Sequence, residues 1–74
     1  MNKERRNQIR QIIGNIEEIK NRLQNVLDEE QEVFDNMPEN LQGSMRGMDS
    51  ENALDLMEES IEGLESAVSL LEDI

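Results

Sequence analysis

The sequence predicts an all-α fold, an antiparallel hairpin of two long helices. Three observations lead there. Aliphatic residues recur at heptad spacing on both sides of the chain's middle. One stretch, Asp35 to Ser44, interrupts that spacing, and it does so once. The two halves carry opposite charge where folding back would bring them together.

The first helix is expected over residues 2–35. With Ile9 at heptad position a, the a row is Ile9, Ile16, Leu23, Glu30 and Met37. The d row is Ile12, Ile19, Val26 and Val33, and Ile13, Leu27 and Phe34 fall at e. Such a helix is roughly 50 Å long. Three apolar positions per heptad suit a helix with two or more neighbours better than a two-stranded coiled coil. Gly14 falls on the polar side. Glu30 interrupts the a row and needs a partner, for which Asn40, Gln42 and Arg46 are within reach of the corner.

The corner is expected over residues 36–49. Asn36 can take the left-handed conformation that ends a helix. Pro38 lacks an amide hydrogen and turns Met37 extended, so the first helix stops there. A short turn over residues 38–42 follows, with Glu39 near its positive end. Leu41 is expected to fold back beside Phe34 and Met37. Ser44 or Ser50 offers a cap for the next helix.

The second long helix is expected over residues 49–73. Leu54, Ile61 and Val68 form its a row, and Met57, Leu64 and Leu71 its d row. Ala53, Ser60, Ala67 and Ile74 line position g, while Leu56 and Leu70 sit at c. Asp55, Glu58, Glu59, Glu62 and Glu65 belong to an outer face that is almost wholly anionic.

Seventy-four residues make one small domain, whose own core is marginal. Cysteine and histidine are both absent, which removes disulfides and the common zinc sites and leaves oligomerisation as the support. A lone hairpin would leave Ile9, Ile13 or Leu27, and Leu56 or Leu70, in water. A homodimer or higher even oligomer, most simply a dimeric four-helix bundle, is therefore expected. Its core would be Ile9, Ile12, Ile16, Ile19, Leu23 and Val26 with Leu54, Met57, Ile61, Leu64, Val68 and Leu71.

The formal net charge of −11 argues against direct binding to nucleic acid, whose affinity comes from cations on phosphates. Residues 1–22 carry six cations and three acids, whereas residues 23–74 carry one cation, Arg46, and fifteen acids. No apolar run is long enough to span a membrane, and no signal peptide is seen, so a cytoplasmic location is expected. The basic first helix has no aromatic anchor for a membrane surface. No catalytic set, phosphate loop or calcium loop is visible, so no enzyme activity, cofactor or metal is expected.

The stretch Glu29-Glu30-Gln31-Glu32, then Phe34-Asp35-Asn36-Met37-Pro38-Glu39-Asn40-Leu41-Gln42-Gly43-Ser44 and Arg46, resembles a corner motif of small acidic proteins of bacteriophages and prophages. In that family the motif also joins a basic-to-mixed helix to a Glu-rich one, here Met57-Glu58-Glu59-Ser60-Ile61-Glu62. The sequence departs from it after Arg46, at Gly47-Met48-Asp49-Ser50. The resemblance implies a helical hairpin of phage origin, placed in the host cytoplasm, and supplies no activity. The corner's polar residues are either a rigid hydrogen-bonded turn or a recognition surface.

Three functions fit these features. The first is an acidic interaction protein that modulates a basic host protein by mimicking nucleic acid. The second is a binder of a small anion or nucleotide, using Arg5, Arg6, Arg10 and Arg46 of neighbouring copies. The third is a purely structural dimerisation module.

Overall fold

The computed structural model describes all residues, 1–74. Three helices account for nearly the whole chain: α1 (Lys3–Asp35), α2 (Glu39–Gln42) and α3 (Met45–Glu72). Asn2 caps α1, its side-chain oxygen accepting from the Arg5 amide at 2.8 Å. The helix runs uninterrupted for 33 residues, as its four heptads require.

The exit from α1 differs from expectation. Asn36 stays right-handed at φ −87°, and no residue in the chain has a positive φ. The reason is a different way of satisfying the helix end. The Met37 amide bonds back to the Phe34 carbonyl at 3.1 Å. The Gln42 side-chain amide donates to the carbonyls of Phe34 (3.1 Å) and Met37 (3.2 Å). Pro38, with ψ 148°, redirects the chain into α2. The short turn thus forms where expected, but Leu41 stays 40% exposed and does not cap the core.

The second long helix begins earlier than residue 49. Ser44 is extended and caps α3, its hydroxyl accepting from the Gly47 amide at 3.4 Å. Gly47 does not break the helix, because its missing side chain is what the corner needs. A Cβ there would lie 2.5 Å from the Leu41 carbonyl oxygen and nearer still to that of Gln42. The main chain of α2 therefore rests directly on the first turn of α3.

α1 and α3 pack antiparallel along their length. The seam takes the a and e rows of α1, among them Leu23, Leu27 and Phe34, against the a and d rows of α3. Leu27, Leu54, Ile61 and Val68 are its buried apolar side chains. This overturns the expectation that Ile9, Ile13 or Leu27 would be wet. The wet row is d: Ile12, Ile19, Val26 and Val33 are each about half exposed, at 48–52%. Two of the three apolar rows fill one seam, and the third points elsewhere.

The molecule is long and thin, 58 × 15 × 12 Å, with a radius of gyration of 17.1 Å. A compact chain of this length would have about 11 Å. The accessible surface is 5711 Å², whereas a compact monomer of this mass exposes about 4,700 Å². Eleven large apolar residues, among them Ile12, Leu56 and Leu70, are 40% exposed or more.

Candidate interaction surfaces

The hairpin has two unlike broad faces, and helix geometry sets them. Right-handed helices running antiparallel send the d row of α1 and the g and c rows of α3 to the same side. That side carries Ile12, Ile19, Val26 and Val33 from α1. From α3 it carries Ala53, Leu56, Ser60, Gly63, Ala67, Leu70 and Ile74, spaced alternately by three and four residues. No residue of either set is charged. Leu56 is 55% exposed and Leu70 71%. Over Ile12–Val33 the face extends for roughly 30 Å.

The opposite side gathers carboxylates. Asp55, Glu58, Glu62 and Glu65 lie along one strip of α3, with Glu59 beside it, and all five are exposed. They recur about every 5 Å along the axis. One cation serves this side from within the seam. Lys20 lays its stem between the helices and brings its ammonium to Glu17 (3.1 Å) and Glu65 (3.8 Å). The hydrogen bond that the Lys20 ammonium donates to Glu17 holds its pKa above the ordinary 10.5, opposed by partial desolvation and aided by the charges of Glu17 and Glu65.

At the corner, the expected partners of Glu30 are replaced by another. The buried Ser50 hydroxyl, on α3, donates to a Glu30 carboxylate oxygen. Gln42 is occupied with the end of α1, and Asn40 and Arg46 are exposed. Gln31 donates to the Asp35 carboxylate at 2.9 Å, which ties the last turn of α1. The Ser44 hydroxyl also reaches the Leu41 carbonyl at 2.5 Å. Phe34, Gln42, Ser44 and Glu30 are thus turn-building groups. Asp35, Asn36, Pro38, Glu39, Asn40, Leu41 and Arg46 are exposed around them.

The open end, where the helix termini meet, has a shallow groove of about 320 Å³ lined by Arg6, Ile9, Arg10, Ile13, Leu71, Glu72 and Ile74. Arg6 donates to the main-chain oxygen of Ile74 at 2.7 Å. Within one chain Arg46 lies at the far end of the hairpin from these arginines. No group of acids is close enough to hold a metal ion.

The residues expected to form an oligomer core therefore divide. Ile9, Ile16, Leu23 and the six from α3 lie in the hairpin's own seam, while Ile12, Ile19 and Val26 lie outside it. The oligomer core expected from the sequence left out the other eight residues of the uncharged face, Val33 of α1 and Ala53, Leu56, Ser60, Gly63, Ala67, Leu70 and Ile74 of α3, and Ser50 was missed as the partner of Glu30. The seven-residue spacing of Ile12, Ile19, Val26 and Val33 was the available signal for the face. No helix is long and apolar enough to cross a membrane. The chain matches no protein-family model, no curated protein and no solved structure.

Proposed function

We propose that this is a non-enzymatic interaction protein of phage or prophage type. Copies associate through the uncharged face, and the carboxylates left outside modulate a basic host protein. The observation that carries this reading is the segregation itself. One broad face carries the uncharged rows over about 30 Å, with Arg22 and Glu29 along its α1 edge, and the other holds the strip Asp55, Glu58, Glu62 and Glu65. Contiguous apolar surface of this extent marks an interaction site.

The acidic strip supports a mechanism. A DNA strand presents one charge per about 3.4 Å, and the strip presents one per about 5 Å on a rigid rod. A groove built to bind phosphates by cations would accept such a line, with affinity that falls as salt rises. The test is a pull-down from host lysate at low and high salt, followed by competition with duplex DNA. Capture of a basic nucleic-acid-binding protein, released by salt and by DNA and lost in Glu58→Lys/Glu62→Lys, is expected. Unchanged capture by that variant would overturn the mechanism.

A second reading comes from the open-end groove, where Arg6 and Arg10 flank apolar side chains. It would bind a small anion such as a nucleotide. Thermal stabilisation by a nucleotide, lost in Arg10→Ala, supports it, and an unchanged melting temperature across a nucleotide panel removes it.

A further inference from the structure

The uncharged face has a spacing that suits its own copy. We infer that a second copy covers it head to tail, on a two-fold axis perpendicular to the helices, with Leu56 of each copy seated over Gly63 of the other. This rests on the self-association proposed above and adds its geometry.

The Lys20–Glu65 and Glu30–Ser50 contacts place α1 residues 19–26 level with α3 residues 56–63. An axis midway between Ile19 and Val26 therefore also lies midway between Leu56 and Gly63. Turning a copy about it sets Ile19 over Val26 of the partner subunit and Ile12 over Val33 of the partner subunit. Leu56 then meets Gly63 of the partner subunit, where the space above the helix is open. The contact is made twice, once on each side of the axis, as an isologous interface requires, and Leu70 falls at the rim of the interface over Asp49 of the partner subunit.

Charge chooses between the two ways of stacking the faces. Residues 23–58, the corner half, hold ten acids and one cation. The open end, residues 1–22 with 59–74, holds eight acids and six cations. An axis along the helices would bring both corners together, with twenty acids and two cations at one end. The ends lie on either side of a 58 Å molecule, several times the screening length of about 8 Å, so neither relieves the other. The head-to-tail arrangement sets each acidic corner beside the partner's basic start. It also brings Arg46, which has no ion pair in its own chain, level with Asp73 of the partner subunit.

The chain lacks cysteine, so single thiols report the arrangement directly. Arg22 sits beside the axis, exposed, one row from Ile19 and Val26. Sedimentation equilibrium establishes whether a dimer exists, and a short thiol cross-linker then reads its geometry. Arg22→Cys should cross-link to itself in most molecules, as should a mixture of Asn15→Cys and Glu29→Cys copies, with only traces from Gly14→Cys on the far side. Gly63→Leu, folded by circular dichroism, should weaken the dimer at least tenfold, while Gly14→Leu leaves it unchanged. A dimer in which Arg22→Cys links only to Ser60→Cys copies would overturn the head-to-tail geometry and leave self-association standing. A single folded copy throughout would overturn both.

Discussion

Gly47→Ala is the substitution whose cost follows most directly from the corner's construction. The added methyl group would lie 2.5 Å from the Leu41 carbonyl oxygen and nearer still to that of Gln42. Ordinary carbon-to-oxygen contacts are about 3.3–3.6 Å, so α2 must withdraw by about 1 Å. Withdrawal is resisted, because Gln42 holds the end of α1 through two hydrogen bonds and Ser44 caps α3. Overpacking of this kind costs about 1–3 kcal/mol, occasionally more. The alanine returns up to about 1 kcal/mol of helix propensity. The net loss is about 1–2 kcal/mol, which lowers the melting temperature by about 5–15 °C in a domain of this size. Gly14→Ala is the control, since nothing lies within 4 Å of its added carbon. It should gain up to about 1 kcal/mol. Thermal and urea unfolding followed by circular dichroism, at one fixed protein concentration, compare the two. Equal stabilisation by both substitutions would refute the close approach of α2 to α3.

Ser50→Ala removes the hydroxyl that Glu30 uses and should cost about 1–2 kcal/mol in urea unfolding. Adding Glu30→Leu should recover that loss, since an apolar pair then fills the seam. Ser44→Ala should cost about 1 kcal/mol and raise hydrogen exchange at the Gly47 amide, the capped donor. The raised pKa of Lys20 gives an alkaline signature. A group whose folded pKa exceeds its unfolded value stabilises fully below the unfolded value and loses that effect as pH rises through the folded one. Wild-type stability should therefore fall above pH 10.5 by more than that of Lys20→Met, read from urea midpoints across that range.

Much of this fold was legible in residue spacing. The four heptads from Ile9 to Val33 predict α1 nearly to the residue, and Pro38 predicts both its end and the turn after it. The antiparallel pairing followed from charge, and Lys20 does reach Glu65. What spacing left open was the choice among rows. With apolar residues at a, d and e of α1, either flank of the a row can complete a seam. The direction in which α2 delivers α3 decides, and it selects Leu27 and Phe34 over Val26 and Val33. The start of α3 was obscured by Gly47, which in isolation weakens a helix. Its purpose depends on a neighbour five residues away, across a turn. The same holds for Ser50, which as a helix cap and as a buried partner of Glu30 has the same letter in the sequence. The uncharged face was present as the Leu56–Gly63–Leu70 spacing, but only the fold shows that it joins the Ile12 row.

The central claim is that the uncharged face is covered by a second copy. Sedimentation equilibrium of the wild-type chain beside Ile19→Asp tests it most directly, because Ile19 is half exposed and outside the hairpin's own seam. The wild type should sediment at twice 8.6 kDa at micromolar concentration, and Ile19→Asp as a helical single copy. A wild-type chain that stays folded and single as concentration is raised would contradict the account.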